Sequence, residues 1–326
     1  MIRVALLDDY QGVALQSARW NTLPPDVEVL AFRDHLAEED ALVERLGDFD
    51  VVMALRERTP FPRSLLRRLP RLKLLTTAGM RNASIDLEAA TELGVLVCGT
   101  GGSGSGTPEL TWGLILALLR HIPREDRATR EGRWQETVGV DLRGRTLGIL
   151  GLGNIGGAVA RVGAAFGMRP LAWSQNLTEA RASECGAELV GRDDLLARAD
   201  VVTIHLVLSD RTRGLLGARE LGLMKPTAYL VNTSRGPIVE EAALVDALRR
   251  RAIAGAALDV FDREPLPPGH PFLAMDNVVL TPHLGYVTEH GYRVFYEQTL
   301  ENIAAFLAGA PTRVLNPAAL ERRRQV

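Results

Sequence analysis

Short apolar runs separated by amphipathic stretches recur along most of the 326 residues. In the first hundred, "RVALLDD" (3–9), "DVVMAL" (50–55), "LKLLTTAG" (72–79) and "GVLVCGT" (94–100) have the length and residue types of buried strands. Between them "EEDALVERLGD" and "SIDLEAATELG" carry apolar positions at helical spacing. A second series starts near Gly144, with strands expected at "TLGILG", "RPLAWS", "DVVTIHL", "AYLVNTS", "GAALDVF" and "NVVLTPH". The stretch "EHGYRVFYEQTLENIAAFLAG" reads as a long closing helix. Strand and helix patterns in alternation predict βαβ units and mainly parallel sheets. The expected fold class is therefore α/β: two doubly wound parallel-sheet domains, with ligands bound at strand C-terminal ends in the cleft between them.

The glycine-rich "GTGGSGSGTPEL" (99–110) separates the two series. It lacks the lysine and the tight spacing of a phosphate loop, so it reads as a hinge or interdomain crossing. The helix after it, "TPELTWGLILALLRHI", is expected to start with Thr107 as N-cap and Pro108 at its first position.

Composition narrows the partners. Hydrophobic residues make up 46% and charged residues 24%, the balance of a globular chain. A net charge of −2 gives no reason to expect nucleic acid or an anionic membrane as partner. The basic runs Arg249–Arg251 and Arg322–Arg324 read as a helix C-terminus and a solvated tail. Cys98 and Cys185 are too few and too distant for a disulfide framework, and no metal is expected. "MIRVALLDDYQG" has no secretory signal pattern and no apolar run reaches membrane-spanning length, so a cytoplasmic location is expected.

The candidate chemistry begins at "LGILGLGNIGGAVA" (147–160), where Gly151, Gly153 and Gly156 form G-x-G-x-x-G between a strand and a helix. The first glycine permits the turn, the second lets a pyrophosphate approach, and the third allows close helix–strand packing. The helix start, Asn154 and Ile155, supplies oriented N–H groups and partial positive charge. At the end of the next strand an acid normally receives the adenosine ribose hydroxyls. Here the chain has Trp173, Ser174, Gln175 and Asn176 instead.

Three more features fall where strands should end. "VNTSRGPIV" (231–239) holds Arg235, "LDVFDREPLP" (258–267) holds Asp259 and Glu264, and "VVLTPHLGY" (278–286) holds His283. Singly they read as a salt-bridge partner, a loop carboxylate and a cap. Together they make one chemistry. A guanidinium can clamp a carboxylate through two hydrogen bonds. A histidine can give a proton to a nascent alkoxide as hydride arrives, and a carboxylate on its other nitrogen favours the imidazolium.

"GLGNIG", "VNTSRGPIVEEAALVDAL", "GAALDVFDREPLP" and "LTPHLGY" closely resemble the D-isomer-specific 2-hydroxyacid dehydrogenase family, in order and across nearly the whole chain. The resemblance implies Arg235 on the substrate carboxylate, His283 as general acid/base, Glu264 paired with it, and Asp259 near the nicotinamide. It also implies His205, Thr212 and Thr233 beside the cofactor. Arg56 and the turn Thr77-Ala78-Gly79-Met80, through its backbone N–H groups, would serve the substrate. The layout implied is a flavodoxin-like substrate domain, 1–100 plus 287–326, and a Rossmann-type cofactor domain, 101–286, in a homodimer.

Two departures from the family pattern stand out. "HLVLSDRTRGLL" (205–216) has Val207 and Ser209 where the family usually has proline and threonine. Ser174 stands at the usual aspartate, so strict NAD preference is not expected. No arginine follows next door to select NADP, which leaves the choice between NAD and NADP open and measurable use of both expected. The leading expectation is reduction of a small 2-oxo acid, of the glyoxylate, hydroxypyruvate or pyruvate kind, to the D-2-hydroxy acid. A short phosphoglycerate dehydrogenase and a dinucleotide-sensing protein like the corepressors of this fold are the alternatives. Formate enzymes of the fold carry glutamine where Glu264 stands.

Overall fold

The computed structural model describes residues 1–323, which divide into two compact units. One comprises Met1–Ser103 and the segment from Thr288 onward; the other is Gly104–Val287. The first boundary falls inside the glycine-rich run.

The first unit is built on a five-stranded parallel sheet of β1 (Ile2–Leu6), β2 (Val27–Ala31), β3 (Val51–Ala54), β4 (Leu74–Thr77) and β5 (Leu96–Gly99), in the order β2-β1-β3-β4-β5. All four pairings are parallel. The second has seven strands: β6 (Thr146–Leu150), β7 (Arg169–Trp173), β8 (Glu188–Leu189), β9 (Val201–Ile204), β10 (Tyr229–Asn232), β11 (Gly255–Leu258) and β12 (Val278–Leu280). Their order is β12-β11-β10-β9-β6-β7-β8, again all parallel. Both are the doubly wound sheets expected, and in each the order in which strands are added reverses once. The reversals lie between β1 and β3 and between β6 and β9, where crevices open at the strand ends.

The seven-stranded sheet is covered on both faces, which explains its nearly continuous apolar strands. Val202, Leu230 and Ala256 face one buried cluster, while their neighbours Val201, Val231 and Ala257 face another. The pattern missed β2 and β8. Both are edge strands: β2 has no fully buried residue, and β8 is two residues long.

The helix after the glycine-rich run, Gly106–Leu119, has Ser105 rather than Thr107 at its N-cap. Proline is tolerated throughout the first turn, whose N–H groups have no acceptor within the helix. Thr107 lies inside that turn, and its hydroxyl donates to the Gly285 carbonyl at 3.0 Å. The closing helix is Glu289–Leu307, capped by Thr288, whose side chain accepts from the Gly291 amide. Of the basic runs, Arg249–Arg251 does end a helix, Glu241–Arg249. Arg322–Arg324 extends outside the described residues. Among those described, no helix is long and apolar enough to cross a membrane.

The chain's two lysines, Lys73 and Lys225, hold equivalent places in the two sheets. Asp50, just before β3, accepts from the Arg3 amide of β1 at 3.2 Å and from Lys73 Nζ at 3.0 Å. Asp200, just before β9, accepts from the Thr146 amide of β6 at 2.8 Å and from Lys225 Nζ at 2.9 Å. Each clamp ties the start of the first strand in its sheet to the start of the strand across the reversal. Burial pushes both carboxyls up, but the strand amide and then the lysine outweigh it and hold both below the usual carboxylate range.

Candidate active site

The glycine turn sits at the C-terminal end of β6, on the crevice side of the second sheet. Gly151 has φ +99, and a methyl on it would come within 2.6 Å of the His205 carbonyl oxygen at the end of β9. At Gly156 the methyl would lie 2.0 Å from the Gly151 carbonyl oxygen, so the helix Asn154–Ala165 can start this close to the strand only with glycine there. Gly153 behaves differently. It is exposed, a methyl would meet nothing within 4 Å, and as N-cap it offers the helix no side-chain bond. That leaves an open space above uncapped N–H groups, with Asn154 and Ile155 opening the first turn. The residues fit a dinucleotide pyrophosphate.

Beside this turn, the Gly151 amide donates to the Trp173 carbonyl at 2.8 Å, which sets Ser174 next to the glycines. Ser174 is half-buried, and Gln175 and Asn176 are exposed in the turn that follows. Arg181, which the sequence pattern did not single out, reaches back to the same turn. Its Nε and Nη2 lie 3.3 Å from the carbonyls of Leu152 and Gly153, and its Nη1 lies 2.8 Å from Glu184.

His205 bonds the Thr203 hydroxyl through Nε2 at 3.0 Å, while its buried Nδ1 has no hydrogen-bond partner. Burial pushes this imidazole down to about 3, so the ring is neutral. The Thr212 hydroxyl closes its own loop, donating to the Val207 carbonyl at 2.7 Å and accepting from the Ser209 amide at 2.8 Å. Thr233 is buried against Thr111, hydroxyl to hydroxyl at 2.9 Å.

Arg235, Asp259 and His283 follow the adjacent strands β10, β11 and β12. Asn232 shapes the first loop, its amide donating to the Arg235 carbonyl at 3.0 Å and its oxygen accepting from the Ser234 amide. The Arg235 guanidinium, half-buried, donates to the Ser234 carbonyl at 2.7 Å. A methyl on the next residue, Gly236, would lie 2.1 Å from the Phe261 backbone, so the loop of Arg235 rests directly on the loop of Glu264.

Glu264 Oε2 lies 2.6 Å from His283 Nδ1, and its other oxygen accepts from the Phe261 amide at 3.0 Å. His283 is held from a second direction. Asp259, fully buried, accepts from the Thr281 hydroxyl at 2.6 Å, the Leu284 amide at 2.7 Å and the Gly285 amide at 2.9 Å. Burial raises the Asp259 carboxyl, against those three donors. The turn they fix gives His283 φ +57, a left-handed conformation uncommon for a residue with a side chain.

In the first unit, Arg56 also has positive φ, +57, and its Nη1 donates to the Ala78 carbonyl at 3.0 Å. The Ala78 amide donates to the Ala54 carbonyl at 3.1 Å and the Gly79 amide to the Thr100 hydroxyl at 2.9 Å. Those two N–H groups therefore have partners within the unit, and what the turn exposes is Met80. No cluster of three or more metal-ligating side chains occurs among the described residues, and both cysteines are buried and unpaired.

The second unit is thus a dinucleotide-binding module with an imidazole–carboxylate pair at its strand ends. Residues 112–285 match the family profile described as D-isomer specific 2-hydroxyacid dehydrogenase, NAD binding domain. A glyoxylate reductase of Aeropyrum pernix is 45% identical over 263 residues, 77% of this chain and 78% of that one. A D-3-phosphoglycerate dehydrogenase of Archaeoglobus fulgidus is 34% identical over 315 residues, 96% of this chain but only 58% of that one. The crystal structure of a phosphoglycerate oxidoreductase from Vibrio cholerae O395 superposes with TM-score 0.90 at 38% identity, covering 95% of this chain and 100% of that one. The chain belongs to the D-isomer-specific 2-hydroxyacid dehydrogenase family. It is an enzyme of the NAD(P)-dependent 2-hydroxyacid dehydrogenase class.

Proposed function

We propose that the protein reduces a small 2-oxo acid, of the glyoxylate, hydroxypyruvate or pyruvate kind, to the D-2-hydroxy acid, with His283 as general acid/base. The observation that carries this reading is the 2.6 Å bond from His283 to Glu264, on a turn that Asp259 locks in place. The coenzyme, held by Gly151, Gly153, Asn154, Ile155 and Gly156, supplies the hydride. Arg235 binds the substrate carboxylate and orients the carbonyl. His283 Nε2 delivers the proton to the carbonyl oxygen as it becomes an alkoxide, and Glu264 stabilises the charged imidazole beforehand. In the oxidative direction the same nitrogen takes the hydroxyl proton.

The similarity to a glyoxylate reductase supports a substrate of the smallest kind. Phosphoglycerate is the second reading, supported by the dehydrogenase of Archaeoglobus. The test is a spectrophotometric screen of 2-oxo acids, with glyoxylate among the best substrates and His283→Ala lowering kcat by about 10²–10⁴-fold. Unchanged turnover in that variant overturns the mechanism. Coenzyme binding without turnover on any acid supports a sensor instead.

A further inference from the structure

The coenzyme site contains a cation that sequence spacing does not reveal. Position 174, where an acid would exclude a 2′-phosphate, is serine, and no basic residue stands within the next six positions. Folding brings one back. The Trp173 carbonyl accepts from Gly151, which anchors Ser174 at the first residue of the glycine turn. The Arg181 guanidinium lies on the carbonyls of the next two residues, Leu152 and Gly153. Three consecutive residues of one turn therefore carry both the missing acid's replacement and a fixed positive charge. Thr178 holds the arginine in register by accepting from the Arg181 amide at 3.3 Å. The side chain is one-third exposed, so it faces solvent on one side while gripping the turn on the other. Its carboxylate partner, Glu184, is 68% exposed, so solvent competes for that contact.

We propose that Arg181 is a specificity-determining residue for the coenzyme: it supplies the counter-charge for the 2′-phosphate of NADP(H), with Ser174 leaving room for that group. This rests on the dinucleotide reading of the turn and goes beyond it. A 2′-phosphate is doubly charged where NAD has a neutral hydroxyl, so a cation here acts on one coenzyme and not the other. The wild-type protein then binds NADP at least as well as NAD, even though no arginine directly follows the end of β7.

The experiment is direct binding, followed by tryptophan fluorescence or calorimetry without substrate, for NAD and NADP and for the fragments 5′-AMP and 2′,5′-ADP. Arg181→Gln should weaken NADP and 2′,5′-ADP by about tenfold, with NAD and 5′-AMP changed less than about threefold. Arg181→Lys should restore much of the NADP binding, and the wild-type preference should shrink as salt screens the contact. Because Arg181 also grips the turn, the decisive quantity is the ratio of the two affinities, which a general loosening would leave alone. Ser174→Asp, which leaves the arginine intact, should reverse the ratio toward NAD. An unchanged ratio in Arg181→Gln, or wild-type NADP binding weaker than NAD, overturns the proposal while leaving the dinucleotide site standing. Failure of the wild type to bind any of the four removes the dinucleotide reading as well.

Discussion

His283 has little freedom. Its ring is bonded at Nδ1, packs edge-on with Tyr286 at 5.5 Å, and stands on a left-handed turn that Asp259 and its three donors help to fix. Such restraint suits a proton donor, which must present Nε2 in one direction through each turnover. Replacing Glu264 with glutamine keeps a hydrogen bond to Nδ1 but removes the negative charge beside it. Glu264→Gln should lower kcat by about tenfold, a smaller drop than that of His283→Ala. A kcat equal to wild type would show that Glu264 only orients the ring. The three side chains proposed to react, Arg235, Glu264 and His283, could be singled out in the sequence because each lies in a short motif after a strand. The support beneath them was not. Thr107 and Gly285 meet across 178 positions, and nothing in either neighbourhood announces the other. Arg181 escaped for the same reason: a helical turn displaces it in sequence from the residues it serves in space.

At the scale of elements, the apolar pattern gave nearly every buried strand, because strands covered on both faces read as continuous runs. It failed where burial fails, at the edges β2 and β8. The Asp–Lys clamps could not be read from pattern at all, since they join strand starts that are far apart in sequence. They have a measurable consequence. The Asp200 carboxyl is held below its usual range in the folded state, so its contribution is complete above about pH 4, the ordinary carboxylate value. It is lost as pH falls through the depressed folded value. Asp200→Asn should cost about 1–3 kcal/mol near neutral pH, because the Thr146 amide and Lys225 lose a charged acceptor. The variant should also show a flatter decline of urea midpoint between about pH 5 and pH 2 than the wild type. Parallel slopes would mean that the clamp contributes no proton linkage.

For the molecule as a whole, we propose that the chain works as a homodimer. Ile122, Trp134 and Val138 lie close together in sequence and are 52%, 76% and 90% exposed. Large apolar side chains left in water within one short stretch mark a surface that another protein covers, and twofold self-association is the commonest arrangement. Light scattering should give about twice the chain mass, and Trp134→Glu should shift it toward the monomer. A monomeric wild type at micromolar concentration would rule this out.

The scarcity of lysine gives the protein one primary-amine side chain per unit, each bound to an aspartate at the foot of a sheet. An amine-reactive label therefore has, besides the chain terminus, one address in each half. Mass spectrometry of the labelled chain during denaturation would time the release of Lys73 and Lys225 separately. The chain carries its own pair of reporters for whether its two halves come apart together or in turn.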